Sequence, residues 1–105
     1  VYRNGTSKAN RYLVMYVLEN QHMKNRLGIS VSKKVGNSVV RHRITRLIRE
    51  SYRLNEDLFK HNLDIVVIAR AGAKDKSYRE IESAFMNLAE RHQIAGKVND
   101  KETSD

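Results

Sequence analysis

The fold this sequence predicts is a two-layer α/β sandwich, a single mixed sheet with helices. Three observations predict it. Residues 12–18 and 63–69 are β-rich apolar runs, and residues 27–31 alternate apolar and small side chains with the period of a half-buried strand. Two further stretches, opening near 37 and 77, pair a helix cap with apolar residues at helical spacing. The resulting order is strand, strand, helix, strand, helix, within 105 residues. That length suits one domain, 1–105, around one core.

Each element has its own signal. Asn4-Gly5-Thr6-Ser7 reads as a turn. After it, Tyr12 to Leu18 forms a strand with Tyr12, Val14, Tyr16 and Leu18 on one face and Leu13, Met15 and Val17 on the other. Residues 19–25 are polar and loop-like, so the strand over 27–31 is expected to return as the second arm of an antiparallel hairpin. Gly36-Asn37 ends that strand and opens a helix capped by Asn37 or Ser38. Residues 63–69, LDIVVIA, are nearly all apolar, as expected of a strand covered on both faces. The helix between 31 and 63 makes that connection a crossover between parallel strands. Ser77-Tyr78-Arg79-Glu80 is a capping box, and Ile81, Phe85, Leu88 and Ala89 follow on one side of its helix. A polar tail, 96–105, closes the chain.

Charge narrows the function. Twenty Lys and Arg against twelve Asp and Glu leave +8 on this small body, a surplus that points to a polyanionic partner. The chain has no cysteine, which excludes disulfides and thiolate metal sites and fits a reducing, cytoplasmic interior. The apolar run 12–18 is far shorter than the ~20 residues of a spanning helix.

The surplus concentrates at residues 33–53. On a helical wheel, Val40, Ile44, Leu47, Ile48 and Ser51 form a stripe that packs on the sheet. Opposite lie His42, Arg46, Arg49 and Arg53, with Arg41 and Arg43 flanking the stripe. A solvated face interleaves both signs in i,i+4 pairs. Here Lys33, Lys34 and five arginines stand against Glu50 alone. Arginine's planar fork suits phosphate oxygens, and Asn37 with the free amides at the helix start adds an anion-seeking end. Membrane binding would need the apolar stripe free to enter lipid, and the sheet takes it.

In the strand over 27–31 and just beyond, Gly28, Ser30 and Ser32 are small and share one side. If Tyr16 stands on that side, the sheet is a shallow floor on which a base could stack; the bland alternative makes Tyr12 and Tyr16 amphipathic residues at the edge of the core. Catalytic signals are lacking: His22, His42, His61 and His92 are scattered, and neither an HExxH pair, a phosphate-binding GxxxxGK loop nor a G-x-S-x-G elbow occurs. Asp64 could hold Mg2+ in principle, but such a residue more often ends a turn.

The stretch SVSKKVGNSVVRHRITRLIRES resembles the signature of the bacterial ribonuclease P protein subunit family, written SVSKKxGNAVxRNRxKRxxRE. Ser30, Ser32, Lys33, Lys34, Gly36, Asn37, Val39, Arg41, Arg43, Arg46, Arg49 and Glu50 match in register. Similarity continues through Gly5-Thr6-Ser7, Ala9-Asn10-Arg11 and the strand 64–70. His42 stands where the family usually has Asn, and Thr45 where Lys is common.

The resemblance implies a subunit of a ribonucleoprotein endoribonuclease that removes the 5′ leader from precursor tRNA. It implies that the catalytic RNA carries the chemistry with Mg2+, and that the protein supplies no catalytic residue. The RNA-binding set it implies is Lys33, Lys34, Asn37, Arg41, His42, Arg43, Arg46, Arg49 and Arg53. It implies a leader-binding cleft around Tyr2, Tyr16 and Ser30, with Tyr2 on a first helix most of which would precede Val1. It also implies a ribosomal-protein-like fold with a left-handed βαβ crossover, against the ~98% right-handed rule. A ribosomal-type RNA binder and a protein-only nuclease are the alternatives; the first would give no rescue of RNA-catalysed cleavage, and the second would cleave without an RNA partner.

Overall fold

The computed structural model describes residues 5–21 and 23–96. Its elements are β1 (Thr6–Ala9), β2 (Leu13–Glu19), β3 (Arg26–Ser30), α1 (Ser38–Leu54), β4 (Leu63–Ala69) and α2 (Tyr78–Arg91), with 3-10 turns at Glu56–Leu58 and Ala71–Ala73. One sheet of order β1-β2-β4-β3 carries both helices on one face. The two-layer α/β architecture is as expected.

Three details differ from the sequence reading. First, β2 and β3 are not a hairpin: β4 lies between them, antiparallel to β2 (Leu13 opposite Ala69, Glu19 opposite Leu63) and parallel to β3 (Leu27 opposite Ile65). The most apolar strand takes a central place, where both its edges are paired. Second, Thr6 and Ser7 are not a turn but open β1, paired with β2 from Thr6 opposite Val17 to Ala9 opposite Val14. The turn falls at Asn10, whose Oδ1 accepts from the amides of Tyr12 (3.1 Å) and Leu13 (3.0 Å). Third, β4 is covered on one face only. Leu63, Ile65, Val67 and Ala69 are buried, whereas Val66 on the other face is 41% exposed.

The predicted helices form with their predicted caps. Asn37 Oδ1 accepts from Val40 N at 3.0 Å. Ser77 and Glu80 complete the capping box reciprocally, at 3.2 and 3.0 Å. Ile44 and Ile48 of α1 and Ile81, Phe85, Leu88 and Ala89 of α2 are buried against Leu13, Met15, Ile65 and Val67 of the sheet. Ser51 is buried in the same stripe, its hydroxyl satisfied by Leu47 O at 2.8 Å. Tyr52, Phe59 and Phe85 close the far end, with Tyr52 edge-on to Phe59 at 5.0 Å. Because β3 and β4 are parallel, α1 runs against both, and α2 leaves the same end of the sheet at which α1 begins. The two helix starts are tied there by Arg43 Nη2, which donates to Lys76 O at 2.8 Å.

Candidate nucleic-acid interface

The route into α1 is built to hold a loop of cations close to the sheet. Ser32 O accepts from Val35 N (3.1 Å) and Ser32 Oγ from Lys34 N (3.2 Å), a turn that buries Val35 and leaves Lys33 and Lys34 exposed. Gly36 then lets the chain pass against the helix it is about to enter: a Cβ there would stand 2.7 Å from Val40 Cγ1 and 2.8 Å from Val40 Cβ.

Along α1 the burial follows the wheel. His42, Arg43, Arg46, Arg49 and Arg53 are exposed, and Arg41 is half-buried. The structure separates these cations into kinds that the sequence does not distinguish. Arg53 is held by Glu50, Nε to Oε1 at 3.1 Å and Nη2 to Oε2 at 2.7 Å. That hydrogen-bonded pair holds the Glu50 carboxyl below the usual carboxylate range, and Arg46 adds to the effect. Arg43 is spent partly on Lys76 O. Arg41 Nε is enclosed with no acceptor among the described residues. Lys33, Lys34, Arg46 and Arg49 form no ion pair among the described residues. Val39, 75% exposed, stands on the same outward ridge.

The open face of the sheet is a second surface. Register places Ser7, Tyr16, Val66 and Gly28 in one row, and Ala9, Val14, Ile68 and Ser30 in the next. Tyr16 therefore shares its face with Gly28 and Ser30, with Val66 of β4 between it and Gly28, and stands 47% exposed. A Cβ at Gly28 would meet only Val66 Cγ2, at 3.9 Å, so the glycine keeps the floor low rather than avoiding a clash. At one end, Asp64 takes both Arg26 Nε and Nη2 at 2.8 Å and Asn20 Nδ2 at 2.8 Å. Hydrogen bonding to Asp64 raises the Arg26 pKa, and the charge pair adds to it. Sequence reasoning saw Asp64 as a possible Mg2+ ligand or, more often, the end of a turn; its cross-strand place opposite Arg26 depends on β4 lying beside β3, which nothing local announces.

Tyr2, expected in a cleft wall, lies outside the described residues, as do Asn4, His22 and the tail beyond Gly96. No group of three His, Asp or Glu able to hold a metal ion occurs among the described residues. None of their helices is long and apolar enough to cross a membrane.

The chain matches the family model described as Ribonuclease P over residues 1–93. The Ribonuclease P protein component of Lachnoclostridium phytofermentans is 68% identical over 94 residues, covering 90% of this chain and 81% of that protein. That of Clostridioides difficile is 48% identical over 96 residues, covering 90% and 84%. Among solved structures, the RNase P protein of Staphylococcus aureus aligns with a TM-score of 0.81 at 38% identity over 91% of this chain and 88% of that one. The RNase P protein of Thermotoga maritima aligns with a TM-score of 0.78 at 31% identity, over 90% and 87%.

Proposed function

The chain belongs to the ribonuclease P protein family, the protein component of a ribonucleoprotein endonuclease, and from that premise we propose how it works: it binds the catalytic RNA through α1 and the loop before it, and it holds the 5′ leader of precursor tRNA on the open face of the sheet. By gripping both, it assists endonucleolytic removal of the leader to give the mature tRNA 5′ end. A cytoplasmic location goes with this reading.

One observation carries it. The apolar stripe of α1 is used on the sheet, and the opposite ridge presents His42, Arg46 and Arg49 outward, with Lys33 and Lys34 before it. Like charges left in water without acidic partners repel one another, and phosphates of a folded RNA relieve that repulsion. Arg41 and Arg43 line the flanks of the ridge, Asn37 heads it beside the free amides of the first turn, and Arg53 with its Glu50 partner closes it. Arginine forks held on a rigid helix match several successive phosphates along its length.

On the sheet, Tyr16 offers an exposed ring on the same open face as Gly28 and Ser30, one strand beyond Val66, a geometry that accepts a stacked base of a single strand. Tyr2 belongs to the same proposed cleft on the strength of the family resemblance.

The described residues do not fit a Mg2+ site of the protein's own. Asp64 is already hydrogen-bonded to Arg26 and Asn20, and no group of three His, Asp or Glu forms among the described residues. In this reading the Mg2+ and the chemistry belong to the RNA, while the protein's side chains bind and position.

The test is reconstitution with a bacterial ribonuclease P RNA at low Mg2+, following 5′ cleavage of precursor tRNA. Rescue over RNA alone is expected; no rescue overturns the proposal in favour of a ribosomal-type binder. Within that assay Arg46→Ala should lower the log–log salt slope of catalytic-RNA binding by about one, and an unchanged slope would remove Arg46 from the interface. Tyr16→Ala should weaken precursor binding by ~1–3 kcal/mol while sparing mature tRNA. Equal losses for the two ligands would reject the leader role.

A further inference from the structure

The end of the sheet where both helices begin collects cations that the proposed function does not use. Arg11 comes from the β1–β2 turn, Arg70 and Lys74 from the segment after β4, and Lys76 and Arg79 from the start of α2. Against them stand Asp75 and Glu80. Between the turn and the outer flank of α2 lies an open cavity of about 520 Å³, lined by Arg11, Tyr12, Arg79, Glu80, Ser83 and Asn87 among others. That volume falls within the ~300–1,000 Å³ of small-molecule sites.

The walls are fixed and the rim is unspent. Asn10 is fully engaged, holding the turn through its Oδ1 and α2 through its Nδ2, which donates to Ala84 O at 2.9 Å and Asn87 Oδ1 at 3.2 Å. Arg70 Nη1 adds a bond to Asn10 O at 2.8 Å. Lys76 Nζ sits 5.2 Å from the centre of the Tyr12 ring, adding charge beside an aromatic wall. Arg11 and Arg79 are exposed and form no ion pair among the described residues. Glu80 spends Oε1 on Ser77 N and keeps Oε2 as an acceptor, while Asn87 keeps its amide donors.

We infer that this cavity is a second RNA-binding site, taking one unstacked nucleotide of the catalytic RNA with its phosphates at Arg11 and Arg79 and its base against Tyr12 and Asn87. The inference rests on the proposed function and extends it. Phosphate suits Arg11 and Arg79, which form no ion pair among the described residues, and is kept off the Glu80 carboxylate that lines the same cavity. A base with an exocyclic amine satisfies that carboxylate, as cytosine and adenine do when acids or amides read them. The catalytic RNA is the occupant because the cavity shares its end of the domain with Lys33, Lys34 and Asn37, and Arg43 physically joins α1 to Lys76. The footprint on that RNA thus runs from α1 around the end of the sheet to the β1–β2 turn.

The chain has no cysteine, so Ser83→Cys carrying an aryl-azide photo-cross-linker reports this site alone in the reconstituted holoenzyme. Cross-links confined to a short stretch of the catalytic RNA are expected. Cross-links to precursor tRNA alone, or none, overturn the inference. Independently, the Arg11→Ala, Arg79→Ala double variant should melt as the parent does, because both side chains are exposed, and should lower the log–log salt slope by about two. That is about 30-fold weaker binding at ~0.15 M salt. Arg46→Ala run beside it separates the two levels. A lowered slope for Arg46→Ala with an unchanged slope for the double variant removes the cavity and leaves the α1 interface standing; unchanged slopes for both remove the α1 interface as well.

Discussion

Replacing Gly36 by alanine tests how the basic loop is joined to α1. The backbone at 36 is not left-handed, so alanine meets no conformational penalty there. The difficulty is steric: the new Cβ would lie 2.7 Å from Val40 Cγ1, 2.8 Å from Val40 Cβ and 3.3 Å from Val40 Cγ2. Rotation of Val40 about χ1 moves the two Cγ atoms but cannot move its Cβ, which the helix holds in place. The loop must therefore back away from the first turn of α1, an overpacking that costs ~1–3 kcal/mol. For a domain of this size each kcal/mol lowers Tm by ~4–8 °C, so a fall of about 5–20 °C is expected. Val40→Ala removes the Cγ contacts and leaves the 2.8 Å one, so in that background the penalty of Gly36→Ala should shrink without vanishing. Thermal or urea melts of the two single variants and the double variant give the coupling directly. If Gly36→Ala melts within about 2 °C of the parent, or if Val40→Ala leaves its penalty unchanged, the close approach is not what the glycine serves.

Two other outcomes follow from the sheet and from α2. Gly28→Val places a β-branched side chain in open space on β3, with Val66 Cγ2 at an ordinary 3.9 Å. Stability should hold or rise by up to ~1 kcal/mol while precursor affinity falls; a variant that binds precursor as the parent does would deny that the low floor matters. At the end of α2, His92 Nε2–H donates to Met15 O at 3.0 Å, which leaves Nδ1 to accept from the Thr6 hydroxyl at 3.2 Å. Burial depresses the His92 pKa below 6.5, the Met15 bond opposes this, and Lys8 and Arg91 lower it further. Because the folded value lies below the unfolded one, the unfolded chain takes the proton first as pH falls. The contribution is complete above about pH 6.5 and is lost as pH drops through the depressed value. Melts of the parent should weaken as pH falls below about 6.5, and His92→Gln should flatten that fall; parallel curves for the two proteins would exclude His92 as the cause.

Local chemistry made much of this legible. The Asn37 cap and the Ser77–Glu80 capping box rest on groups three residues apart, and both formed as read. The burial of Ile44, Ile48 and Ser51 follows from helical period alone. Pairing partners were another matter. A polar connection of six residues after β2 looks like a hairpin loop, yet it carries the chain past the end of β4 to the far edge of the sheet. Whether two neighbouring strands pair or admit a third is decided by which strand most needs both edges filled, a comparison across the whole chain. The same gap hid β1, whose four residues are all exposed and carry no apolar alternation; only its partner β2 makes it a strand. Apolar content misled once, at β4, where Val66 and Ile68 suggested a covered second face that the described structure leaves open. Within the candidate interface, charge gave the cations but not their commitments. That Arg53 is held by Glu50 follows from i,i+3 spacing, whereas the Arg43 bond to Lys76 O depends on where α2 begins.

The two surfaces are joined by one continuous stretch of chain. Gly28 and Ser30 of the floor, Lys33 and Lys34 of the loop, and the ridge of α1 are consecutive in sequence, with Val35 buried as the anchor between. In β3 a slip of one residue against β4 would turn Leu27 and Ile29 onto the open face and send Gly28 and Ser30 into the core. The same slip would draw Val35 from its pocket and displace the start of α1, where Gly36 leaves no slack against Val40. The half-buried alternation of β3 therefore sets more than its own register. It keeps Gly28 and Ser30 on the open face with Tyr16 and holds the cationic loop and the start of α1 against the sheet, so in the proposed function the leader and the catalytic RNA would be positioned by the same rigid element.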